Sequence, residues 1–98
     1  MKGMTLKQFL QTMTNYDEIE FSYKGIQYDF QKEKSATAGK IKISVWQSGA
    51  NSPCYCVEVE NNFSAFKKVA ENIIVAKILF DGKSIAESEK FIDVEFFT

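Results

Sequence analysis

Residues 18–31 carry the sequence EIEFSYKGIQYDFQ, and this stretch decides the fold of the chain. Apolar and polar residues alternate on both sides of Lys24-Gly25, which is typical of two β-strands joined by a two-residue turn. Such a turn pairs Tyr23 with Ile26, and every apolar side chain then lies on one face. The same register sets Glu20 opposite Asp29 on the other face. The sequence therefore predicts an antiparallel hairpin with one apolar side.

Two further segments show the same alternation, residues 40–47 and residues 54–60. Polar loops rich in turn residues separate them from the hairpin and from each other. Because the four strands follow one another through these loops, the pattern predicts a four-stranded antiparallel meander with one apolar face. We expect Lys40 and Lys42 to lie on the outer face, where they would compensate the acidic pair of the hairpin.

Helices are predicted before and after the meander along the chain. Apolar residues recur at helical spacing over residues 5–14, and Thr5 and Gln8 have the spacing of a capping box. A second helical stripe begins at Phe63, after Asn61-Asn62, and is predicted to continue to about Leu79. The resulting expectation is a two-layer α+β domain in which the N-terminal helix and the C-terminal helices pack on one face of the meander.

Residues 76–88 allow two interpretations. Asp81-Gly82 either ends the second helix, or it forms a hairpin turn that pairs residues 76–80 with residues 83–87. Ser84 and Glu87 repeat the capping-box spacing and predict a short helix over residues 85–90. The alternating tail from Phe91 to Phe97 is consistent with a final short strand.

Length and composition exclude several classes of function. Ninety-eight residues are enough for one domain, predicted to span residues 1–98. The chain has no histidine, which excludes histidine-based triads and imidazole metal sites. All twelve basic residues are lysines, as no arginine occurs in the sequence, and the net charge is −1. This balance disfavours a dedicated nucleic-acid or anionic-membrane binder, since both classes normally carry a basic excess.

Four residues form the candidate interaction surface, namely Trp46, Lys42, Cys54 and Cys56. Alternation places all four on the outer face, where Trp46 is expected near the cysteines of the next strand. Trp46 either anchors a protein interface, or the C-terminal phenylalanines cover it. The two cysteines lack the partners of a zinc site and the spacing of a redox motif. We therefore assign no catalytic, cofactor-binding or metal-ligating residue and do not expect an enzyme.

Two short segments resemble parts of small uncharacterised proteins of Gram-positive phage and conjugative elements. They are MTLKQFL at residues 4–10 and AKILFDGKSI at residues 76–85. The resemblance implies a bacterial accessory protein of the cytoplasm, encoded on a mobile element, and it implies no residue role. The absence of an apolar leader or a membrane-spanning stretch leads to the same expectation of a cytoplasmic location.

The sequence thus predicts a non-enzymatic protein-interaction module, with self-association into a homodimer as one form of that interaction. The alternative is an accessory protein that binds single-stranded nucleic acid through an aromatic residue and nearby lysines.

Overall fold

The computed structural model describes all residues from Met1 to Thr98 and shows an α+β fold with five antiparallel strands. The strands occur in the order β4-β3-β2-β1-β5 across one sheet. In chain order the elements are α1 Leu6–Asn15, β1 Glu18–Tyr23, β2 Ile26–Lys34, β3 Lys40–Gln47, β4 Tyr55–Glu60, α2 Phe63–Val75, a 3₁₀ helix Ala86–Phe91 and β5 Ile92–Phe97. The predicted meander is present as β1 to β4, and β5 adds a fifth strand.

The hairpin of β1 and β2 has the predicted register. Tyr23 pairs with Ile26, and Glu20 pairs with Asp29. Lys24 and Gly25 have positive φ angles of 49° and 81°, as a type I′ turn requires at both central positions. This turn follows the right-handed twist of the strands, so local sequence is sufficient to set the pairing.

The pairing of β2 with β3 differs from the prediction. The strand β2 continues to Lys34, and the Ser35 N–H donates to the Lys40 carbonyl at 3.2 Å, which closes a short connection. This closure sets Lys42 opposite Glu33 and places Trp46 opposite Asp29. The expected compensation of the hairpin's acidic pair by the β3 lysines is therefore wrong, because the register moves those lysines toward the other end of the sheet.

Both α-helices pack on the apolar face of the sheet and contact each other. At the start of α1 the Thr5 side chain accepts from the Gln8 N–H, and the Gln8 side chain accepts from the Thr5 N–H, which confirms the capping box. The Asn62 side chain caps α2 in a similar way by accepting from the Ala65 N–H at 2.8 Å. The longest helix, α2, has 13 residues, and no helix has the length and apolar character that crossing a membrane requires.

The helix α2 ends at Val75, four residues before the predicted end at Leu79. The chain then turns at Lys77-Ile78, and a second turn at Asp81-Gly82 brings Phe80 and Lys83 together in a single antiparallel bridge. Neither interpretation of residues 76–88 is therefore fully correct, since the helix stops early and no paired hairpin strands form. The physical reason is burial: the turn after α2 puts both Leu79 and Phe80 in the core, at 5% and 1% exposure.

Strand β5 pairs with β1, and its register contains a bulge. Ser84 and Glu87 make the predicted reciprocal bonds at the start of the 3₁₀ helix, which leads directly into β5. The pairing shifts between Glu20 and Phe21, so the strict alternation expected over residues 91–97 does not hold. Phe96 consequently lies on the outer face beside Glu20, and Phe97 packs edge-on against Tyr16 with ring centroids 5.0 Å apart.

Candidate functional site

The outer face of the sheet, opposite the helices, has a strong excess of negative charge. The strand registers, together with the parallel bridge of Lys2 to Asp93 beside β5, place seven carboxylates and three lysines on it, an excess of four negative charges, although the whole chain carries only −1. These charged residues are Glu18, Glu20, Asp29, Glu33, Glu58, Glu60, Asp93, Lys2, Lys40 and Lys42. The remainder of the molecule is therefore positively charged, and the two sides of the protein differ in sign.

At one end of this face, which we call the ion-paired end, two lysines pair with carboxylates. Lys40 Nζ lies 2.6 Å from Glu60 Oε1, and Lys42 Nζ lies 3.5 Å from Glu33 Oε1. The Ser35 hydroxyl donates to Glu58, and this bond is the main cause that lowers the pKa of the Glu58 carboxyl. The hydrogen bond from Lys40 to Glu60 raises the pKa of the Lys40 amine. Exposed pairs of this kind contribute little to stability, and the two lysines leave one of the three carboxylates at this end without a lysine of its own.

A row of four side chains crosses the other part of the outer face, and we call it the aromatic–acid row. It consists of Trp46 on β3, Asp29 on β2, Glu20 on β1 and Phe96 on β5, each in register with the next. With strands about 4.8 Å apart, the row is about 14 Å long. Phe96 is 48% exposed and Trp46 is partly exposed, so both rings can be reached from solvent.

Trp46 is held in place by its own strand. Its indole Nε1–H donates to Ser44 Oγ at 3.0 Å, and Ser44 has no exposed surface although it lies on the outer face. The ring therefore lies along β3 over Ser44. Phe96, the C-terminal phenylalanine that shares this face, lies at the far end of the row and does not cover the indole. The interpretation in which C-terminal phenylalanines cover Trp46 is thus wrong.

The carboxylates of the aromatic–acid row have no basic partner. The ion pairs within 4.0 Å are Lys40–Glu60, Lys42–Glu33 and Lys77–Glu87, and none of these involves Glu20 or Asp29. The two carboxylates face each other across neighbouring strands, where like charges repel. A cation placed between the rings would relieve that repulsion and would also be attracted to the aromatic faces.

Of the predicted surface residues, the structure places only Trp46 in this row. Lys42 belongs to the ion-paired end, about 13 Å along β3 from Trp46. Cys56 is exposed on the outer face opposite Ser44 and is a diagonal neighbour of Trp46. Phe96 was not identified from sequence, because alternation alone assigns it to the apolar face.

Cys54 does not lie on the outer face as predicted. It precedes β4, which begins at Tyr55, and its N–H donates to the Val45 carbonyl at 2.7 Å. The Cys54 side chain packs against the core and is half-buried, because the strand alternation does not extend to this position. The two thiols are free and on different faces, and no cluster of three or more metal-ligating side chains occurs in the fold.

The aromatic–acid row is a surface feature and not a cavity. The five cavities of the molecule have volumes of about 280–390 Å³, and none is lined by any residue of the row. Small-molecule sites are usually concave, whereas flat faces with exposed aromatic residues are typical of protein interfaces. The chain matches no family model, no curated protein and no solved structure in the comparisons made.

Proposed function

We propose that this protein is a non-enzymatic interaction module that binds a positively charged, extended segment of a partner protein on its outer sheet face. One observation carries the proposal: Glu20 and Asp29 lie unpaired between two solvent-accessible rings, on a face with four excess negative charges. Such a site fits Lys or Arg side chains, whose charge the carboxylates attract and whose apolar stems pack on Trp46 and Phe96.

An extended segment fits the dimensions of the row. Alternate side chains of an extended chain lie on the same side, about 6.6–7 Å apart. Two or three basic residues at every second position would therefore match the length of about 14 Å. Electrostatic complementarity of this kind chiefly raises the association rate and selects against acidic partners.

The sign of the charge separates this proposal from the other candidates. Single-stranded nucleic acid would bring phosphates against the carboxylates of the row, which is unfavourable. A symmetric homodimer through the same face would set identical carboxylates against each other, because a two-fold interface pairs a patch with itself. We therefore favour a basic segment of a different chain over nucleic acid and over a second copy.

The test is a titration with a ten-residue synthetic peptide of alternating lysine and threonine, followed by the emission of Trp46, the single tryptophan. We expect saturable binding that weakens as salt rises. The double variant E20Q/D29N should bind about tenfold more weakly, since each surface ion pair contributes about 0.2–1 kcal/mol. The matched control E58Q/E60Q removes two carboxylates from the ion-paired end of the same face and should change the affinity less.

Parallel measurements distinguish the alternatives. An oligothymidine of similar length should not bind, and the protein should sediment as a monomer. Equal losses in both double variants would indicate diffuse charge attraction and contradict the row as the site. Tighter binding of the oligothymidine than of the basic peptide would replace the proposal with nucleic-acid binding.

A further inference from the structure

Lys32 is a charged residue on the apolar face of the sheet. It pairs with Ile43 in the strand register and follows Tyr28 and Phe30 on the inward side of β2. Its Nζ donates to the Thr14 carbonyl in the last turn of α1 at 2.7 Å. The same atom lies 4.5 Å from the ring centroid of Phe66 on α2. The side chain is half-buried at the point where both helices meet the sheet.

The amine of Lys32 has no counter-ion. None of the ion pairs within 4.0 Å includes it, and the charged groups around it are Asp17, Glu18, Glu33 and Lys34. Burial lowers the pKa of Lys32 to about 8, and the more distant Asp17 carboxylate only partly opposes this effect. At pH 7 about one Lys32 side chain in eleven is then uncharged, against about one in three thousand for an ordinary lysine.

Cavities border this amine on two sides. One has a volume of about 290 Å³ and is lined by Phe66, Ile41 and Asn61 together with Lys32. The other has a volume of about 390 Å³ and lies toward Glu18 and Gln31. Ile41 and Phe66 are the apolar residues of the smaller cavity, and the Phe66 ring lies 4.5 Å from Nζ, so a compact organic molecule held there lies close to the amine.

We propose that Lys32 is a covalent binding site for small neutral aldehydes, held as a protonated imine in the cavity beside Phe66. This site is on the opposite face of the sheet from the aromatic–acid row and is independent of the proposed partner binding. No residue pattern in the sequence indicates it, because the site depends on the packing of α1 and α2 over β2.

The chemistry balances without any additional reagent. The ammonium group of Lys32 first loses a proton to solvent, and the nitrogen lone pair then forms a bond to the aldehyde carbon. The carbonyl oxygen takes up protons and leaves as water while the C=N bond forms. Protonation of the imine nitrogen restores one positive charge, so the net change is ammonium plus aldehyde giving iminium plus water.

The surroundings select the class of aldehyde. The iminium keeps an N–H that can donate to the Thr14 carbonyl and a positive charge over Phe66, which are the contacts the ammonium makes. Apart from Lys32, the charged residues that line the cavity are Asp17, Glu33 and Lys34, a net charge of −1 that disfavours an anionic carbonyl compound. Neutral aldehydes avoid this repulsion.

The experiment uses propanal as the probe and sodium cyanoborohydride to trap the imine by reduction. The folded protein is labelled briefly at pH 7, and propylation of each lysine is measured by peptide mass spectrometry. Lys34, an exposed lysine two residues along β2, is the internal control. At pH 7 the uncharged fraction of Lys32 is larger than that of an ordinary lysine, and its lower basicity and partial burial offset only part of this difference. We therefore expect Lys32 to be labelled about tenfold faster than Lys34, or more.

Three further measurements make the result decisive. Lys32 labelling should reach half of its plateau near pH 8, and the preference for Lys32 should disappear in denaturing urea. The variant K32R should lose the dominant label, whereas K34R should keep it. Glyoxylate, an anionic aldehyde, should show a Lys32 preference at least threefold smaller than propanal. Labelling of Lys32 no faster than Lys34 in the folded protein would overturn the site, and a stronger preference with glyoxylate would overturn the substrate class.

Discussion

Replacing Phe80 with alanine removes the ring that holds the irregular segment after α2 in the core. Phe80 is 1% exposed and stacks on Tyr23 with ring centroids 4.2 Å apart and planes 7° apart. It also makes edge contacts with Tyr28 at 5.2 Å and Phe21 at 6.4 Å. The ring thereby joins the segment to both strands of the central hairpin. We expect F80A to be the most damaging truncation between α2 and β5.

The expected loss in the free energy of unfolding is about 3–5 kcal/mol, because a large buried ring leaves a cavity that the sheet cannot close. With an m-value of about 1–3 kcal/mol/M, the midpoint of urea unfolding should fall by about 2 M. A domain of this size has a total free energy of unfolding of about 5–15 kcal/mol, so the loss in F80A is a large part of the total. The variant F80L provides a milder change, with an expected loss of about 1–2 kcal/mol. Unfolding is followed by circular dichroism over a urea series.

The matched control is I78A, two residues earlier in the same segment. Ile78 is 60% exposed, so its truncation should change stability by less than about 0.5 kcal/mol. If F80A and I78A lower the midpoint equally, or if F80A costs less than about 1 kcal/mol, the segment does not cover the hairpin as described.

Three other perturbations test separate parts of the structure. T5A should lower the free energy of unfolding in urea by about 1 kcal/mol, because it breaks the capping box of α1. T5S should restore most of the loss, and equal stability of the native protein, T5A and T5S would contradict the cap. In the folded protein the exposed Cys56 thiol should react quickly with a disulfide reagent and the Cys54 thiol slowly, so C56S should remove the fast phase. Equal rates for the two thiols would contradict the placement of Cys54 against the core. Because the folded-state pKa of Lys32 is lowered to about 8, the unfolded chain binds more protons between about pH 8 and pH 10.5, so the contribution of Lys32 to stability rises with pH in that window. K32M should therefore reduce the gain in stability between pH 7.5 and pH 9.5, and an unchanged gain would refute the assignment.

Local patterns in the sequence determine the parts of the fold that were predicted correctly. The register of β1 and β2 follows from a two-residue turn, and the caps at Thr5 and Ser84 involve partners three residues away. The single apolar face of the meander follows from alternation alone. These features need no information about distant contacts.

The features that differ from the sequence predictions depend on contacts between distant parts of the chain. The pairing of β5 with β1 and the bulge beside Glu20 join residues 69 to 78 positions apart, and the bulge moves Phe96 to the outer face. The end of α2 depends on the space available for Phe80 among the hairpin rings. The candidate site was therefore predicted only at Trp46. The cytoplasmic location and the origin on a bacterial mobile element stay predictions from sequence.

The most direct measurement is the quenching of Trp46 fluorescence by caesium and by iodide, each normalised to a free tryptophan amide. The protein has one tryptophan, so the signal reports only the aromatic–acid row. Because Glu20 and Asp29 create a local negative potential on an open face, we expect caesium to quench more efficiently than iodide at low salt, and E20Q/D29N to reduce this difference strongly. Quenching by iodide as strong as by caesium in the native protein, or no quenching by either ion, would contradict an exposed and negatively charged outer face.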